Sequence, residues 1–79
     1  MLIPAQIRAA RALLSWSQAE LAEASGVALQ SIKNIETGKT DPRLSTATAL
    51  MRALEKAGVV FLTDGESVNG GPGVRLARR

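Results

Sequence analysis

The chain has 79 residues, 46% of them hydrophobic and 22% charged, which leaves room for one small core and predicts a single globular domain. It contains neither Cys nor His, so disulfides, thiolate or imidazole metal sites, and the Ser-His and Cys-His forms of nucleophilic catalysis are excluded. Ten Lys and Arg against seven Asp and Glu give a net charge of +3, which permits an anionic partner without requiring one.

No apolar run approaches the roughly 18–20 residues of a spanning helix, and Met1-Leu2-Ile3 leads into polar positions rather than a secretory segment. A soluble, cytoplasmic protein with no membrane partner is expected. Seven carboxylates without His, Cys or Tyr offer no acid–base pair, so neither enzymatic activity nor a cofactor is expected. Small domains often gain stability by pairing with a second copy, which predicts a homodimer.

Ile7, Ala10 and Leu14 recur at helical spacing, one turn after Ile3, and Pro4 suits a first helical position where no amide donor is needed. The spacing predicts a helix over residues 4–15. Arg11 falls on or beside its apolar stripe and requires a partner, whereas Arg8 falls off it. Ser17-Gln18-Ala19-Glu20 forms a capping box, a hydroxyl and a carboxylate three residues apart that satisfy two otherwise unpaired amides. A second helix therefore starts there, turns Leu21 and Ala22 inward, and ends at Gly26.

In the next stretch Ala28, Ile32 and Ile35 form one apolar face, with Gln30, Lys33, Asn34 and Thr37 mostly elsewhere, and Gly38 ends the helix. Residues 39–43 read as a polar loop, because Pro42 biases Asp41 away from helical angles. A fourth helix is predicted from Ser45, with Ala47, Leu50, Met51, Leu54 and Ala57 on one face and Gly58 as its stop. Beyond it, residues 59–63 are β-branched and aromatic. Asp64-Gly65 and the stretch 69–73 carry turn chemistry, and Val74-Arg75-Leu76 alternates. Two short strands are predicted. Because an isolated hairpin is marginal in water, they need either the helical body or the strands of a second subunit.

Two short helices joined through Gly26, the second presenting Gln30, Lys33 and Asn34, make a helix-turn-helix candidate. Gln and Asn amides can donate and accept together toward an adenine edge, and Lys can approach a guanine acceptor or a phosphate. The same residues also suit an ordinary solvated helix face. Trp16, just before the capping box, reads as a staple packed between helices rather than a stacking platform. Phe61 reads as a core or dimer-contact residue. Arg75, Arg78 and Arg79 form a basic tail that suits phosphate or simply solvent.

The order of these features decides between the readings. Ser17-Gln18-Ala19-Glu20-Leu21-Ala22, Gly26-Val27, Ile32 and Ile35-Glu36-Thr37-Gly38-Lys39 together resemble the helix-turn-helix of the Cro-like and lambdoid-phage-repressor family, the XRE family. The resemblance covers about residues 5–57, and the stretch from Gly58 to Leu76 is similar to the tail of very short bacterial members. It implies a mostly α fold: a four- to five-helix lambda-repressor-like DNA-binding domain over residues 1–58. A short C-terminal β-hairpin over 59–79 would serve as the dimerisation element, through Val59, Val60, Phe61, Leu62, Val74 and Leu76.

The implied partner is double-stranded DNA, bound by a dimeric transcriptional repressor at a palindromic operator. By matched position Gln18 would clamp a phosphate. Leu29, Gln30, Ser31, Lys33 and Asn34 would face the major groove, with Gln30 as the principal base reader. Lys39 and Arg43 would meet the backbone or minor groove. Arg11 and Glu36 match a structural ion pair, with Arg11 also near the DNA backbone. Two departures stand out: Leu29 replaces a common polar residue, and Ala28 replaces the usual Ser or Thr cap, at a cost of roughly 1 kcal/mol. A protein partner, toxin or polymerase, is the alternative use of the tail. In the toxin case the chain would be an antitoxin that also autoregulates its operon.

Overall fold

The computed structural model describes residues 4–62 and 71–77. Ile3, Thr63, Asp64, Gly65, Asn69, Gly70, Arg78 and Arg79, invoked above, lie outside the described residues. The described chain runs α1 (Pro4–Leu14), α2 (Gln18–Ser25), α3 (Leu29–Glu36), α4 (Leu44–Lys56), β1 (Val59–Leu62) and β2 (Gly73–Leu76). No helix among these residues is long and apolar enough to cross a membrane.

Local chemistry sets each boundary. α1 ends because Ser15 adopts a left-handed conformation at φ 57°, and the amides of Ser15 and Trp16 turn back onto the carbonyls of Ala12 and Arg11. The capping box then opens α2: the Glu20 amide donates to Ser17 Oγ at 3.0 Å, and the Ser17 amide donates to Glu20 Oε1 at 2.9 Å. Gly26, at φ 75°, closes α2 and aims the chain into α3. The third helix starts from Ala28 with no side-chain cap. It ends where Gly38 turns left-handed and the Gly38 and Lys39 amides meet the carbonyls of Ile35 and Asn34.

Two boundary expectations are corrected. Ala28 is an exposed N-cap rather than a member of the buried face of α3, which consists of Ile32 and Ile35. α4 begins one residue earlier than predicted, at Leu44, with Arg43 as an extended N-cap that makes no side-chain bond to the helix.

One core gathers all the elements: Ile7, Ala10, Leu21, Ile32, Ile35, Leu50, Leu54 and Val59 are buried together, with Leu14, Trp16, Ala22, Phe61 and Val74 packed against them. α2 packs on α3 and α4, while α1 packs on α3 and β2. The strands pair antiparallel within the chain, Val59 opposite Leu76 and Phe61 opposite Val74, and the hairpin rests on α1 and α4. The helical body is thus the partner that the marginal hairpin required. Val59 is 3% exposed, and its side chain belongs to the chain's own core. Phe61 and Val74 also lean inward, while Val60 and Leu62 are half-buried and Leu76 is exposed.

Candidate nucleic-acid interface

The outer side of α3 is built by the periodicity that buries its inner side. Ile32 and Ile35 anchor the helix to the core, which leaves Leu29, Gln30 and Lys33 exposed and Ser31 and Asn34 half-buried at the margin. The Gln30 and Asn34 amides meet one turn apart, Gln30 Nε2 donating to Asn34 Oδ1 at 3.1 Å. A cleft alongside α3, lined by Ser31, Asn34, Thr40, Asp41, Arg43 and Thr46, separates that helix from the loop leading into α4. Lys39 and Arg43 are exposed in this loop. Cations and amides therefore lie on α3 and the loop after it, whereas β1 and β2 pack on α1 and α4.

Behind this surface lies a buried polar junction. Glu36, the last residue of α3, is 3% exposed. Arg11 holds its carboxylate through two bonds of 2.7 Å, Nε to Oε2 and Nη2 to Oε1, and Arg11 Nη1 donates to the Trp16 carbonyl at 3.0 Å. Gln18 Nε2 adds a bond of 3.2 Å to Glu36 Oε1, and Arg8 donates to the Glu36 main-chain carbonyl. The hydrogen bond that Arg11 donates to Glu36 raises the Arg11 pKa above its ordinary value and outweighs the opposing effect of burial, so the guanidinium stays charged. Paired and bonded in this way, the charges are tolerated under α3 and fix its C-terminal end to α1 and α2.

The sequence-nominated residues fall into two groups. Leu29, Gln30, Ser31, Lys33 and Asn34 share the outer side and margin of α3, with Lys39 and Arg43 in the loop beyond. Gln18 and Arg11 sit at the junction with Glu36, each with a side-chain donor directed inward. The nominated dimer residues lie on β1 and β2, which pack on α1 and α4.

Sequence reasoning missed three contributions. Arg8 falls off the apolar stripe, yet it lies three residues before Arg11 and reaches the same glutamate. Gln6 is buried at 5% exposure and donates from Nε2 to the carbonyls of Leu62 and Gly73 at 3.3 and 3.1 Å, tying α1 to the hairpin. Its place three residues after Ile3 and four before Ala10 was the available signal. The pairing of Gln30 with Asn34 was also missed, although their i, i+4 spacing permits it.

The sequence model of the helix-turn-helix family matches residues 7–59, which takes in α1 from Ile7 onward, the whole of α2, α3 and α4, and the first residue of β1. Comparison with curated proteins finds no match.

Proposed function

The chain belongs to the XRE family of helix-turn-helix proteins, DNA-binding regulators, and from that premise we propose that it is a dimeric repressor reading a palindromic operator through α3. The observation that supports this most strongly is the outer side of α3: an amide- and Lys-bearing surface, held from behind by Ile32, Ile35 and Glu36, while β1 and β2 pack on α1 and α4. A rigid helix with that composition suits the width of a major groove.

In this reading Gln30 and Lys33 contact base edges, with Asn34 beside Gln30 and Ser31 at their margin. Leu29 offers an apolar contact to a thymine methyl. Lys39 and Arg43 meet phosphates or the minor groove, and Gln18 contributes at the start of α2, where helix amides favour an anion. Arg11 acts mainly through Glu36, since its guanidinium already donates three bonds inside the protein.

Dimerisation would use the outer side of the hairpin, where Leu76 is 47% exposed and, among the described residues, no third strand pairs with β1 or β2. Two α3 helices about 34 Å apart would then read half-sites one helical turn apart. A dimer seated on a promoter represses by excluding polymerase.

Selection of bound duplexes from a random pool tests the proposal. One motif with twofold symmetry should be enriched, and its affinity should fall with salt at a log–log slope of several units. An unenriched pool, or binding indifferent to salt, would contradict it.

A further inference from the structure

The bond between Gln30 and Asn34 determines what the outer side of α3 can offer a base. A glutamine amide has two N–H donors and one carbonyl acceptor. One Gln30 N–H is engaged by Asn34 Oδ1 at 3.1 Å, which leaves one donor and the Oε1 acceptor to face a base. Asn34 is the anchored member of the pair. It is half-buried beside the cleft, and its main-chain carbonyl receives the Lys39 amide at 2.8 Å and Thr37 Oγ1 at 3.2 Å. Gln30 is exposed and is the member whose side chain would swing without it.

Resting on the DNA-reading function proposed above, we infer that Asn34 is a positioning residue that fixes the Gln30 amide in the orientation that selects adenine over guanine. Adenine presents an N6 donor beside an N7 acceptor, which complements the free Oε1 and N–H of Gln30. Guanine presents two acceptors, O6 and N7, and would need both Gln30 donors at once. The bond to Asn34 withholds one of them. In water such an exposed amide pair contributes little, but in a groove cleared of water an unpaired donor is costly, so the pairing gains weight on binding.

Selection from a random duplex pool with four chains tests this: wild type, Gln30→Ala, Asn34→Ala and Asn34→Asp. The Gln30→Ala pool identifies the base position that Gln30 reads. At that position the wild-type chain should prefer adenine over guanine by about tenfold or more. Asn34→Ala frees the amide to rotate, so the preference should fall to within about threefold while helicity and melting temperature stay unchanged. Asn34→Asp keeps an acceptor for Gln30 and should retain the adenine preference at reduced overall affinity.

Guanine at the Gln30-dependent position in the wild-type pool would overturn the inference, because it requires the opposite amide orientation. An adenine preference unaltered by Asn34→Ala would also overturn it. A wild-type pool with no enriched sequence would overturn the DNA-reading function itself, and this inference with it.

Discussion

The guanidinium of Arg11 grips the carboxylate of Glu36 through two bonds of 2.7 Å, with the acid almost wholly buried. Three helices meet at that point, since α1 supplies Arg11, α3 supplies Glu36 and α2 contributes Gln18. Arg11→Ala should therefore destabilise the fold by about 3 kcal/mol or more, because it strands a buried carboxylate. Replacing both residues with apolar side chains of similar size should recover most of that loss. Urea unfolding of the single and double variants measures the difference, and equal destabilisation by both would contradict the account.

α3 starts from Ala28, whose side chain offers no oxygen to the unpaired amides of the first turn. Ala28→Ser should raise stability by about 1 kcal/mol. Thermal melting should show the gain. No change would mean that those amides are already satisfied by solvent.

Gln30 is exposed and makes one side-chain bond, so its removal should leave the fold intact. Gln30→Ala should weaken binding to the selected duplex by roughly 1–3 kcal/mol and leave binding to random duplex nearly unchanged. Fluorescence anisotropy with both duplexes checks this. Equal losses on both would remove Gln30 from the base readers.

The hairpin cannot be tested by deleting residues 59–79, since Val59 is part of the core and Phe61 and Val74 pack against it. Leu76→Glu is the cleaner change, because that side chain is 47% exposed. Light scattering should show a monomer with the fold retained and a reduced affinity for the palindromic site. A persistent dimer would move the interface elsewhere.

Much of the fold was legible because its determinants are local. The capping box at Ser17 and Glu20, the stops at Gly26 and Gly38, and the spacing of Ile32 and Ile35 each act within a few residues. What could not be read depends on elements far apart in the chain. The 56 and 67 residues that separate Gln6 from Leu62 and Gly73 leave no periodic trace, and neither does the burial of Val59 by the helical body. Ala28 departs from its expected place for a different reason: its spacing fits the apolar face, but as the cap it precedes the first helical residue, where that periodicity no longer applies.

The proposed surface was legible as a set of residues but not as an arrangement. Helical spacing predicts that Gln30, Lys33 and Asn34 share one side of α3. It does not say that Gln18 turns its amide toward Glu36, or that Gln30 donates to Asn34, because rotamer choice depends on neighbours that only the folded chain supplies.

The most direct test of the central claim is a nuclear magnetic resonance titration of the protein with its selected duplex, following backbone and side-chain amides residue by residue. The largest shifts should fall at Leu29, Gln30, Lys33 and Asn34, with smaller ones at Gln18, Lys39 and Arg43 and little change along β1 and β2. Shifts centred on the hairpin, with α3 unmoved, would contradict the account.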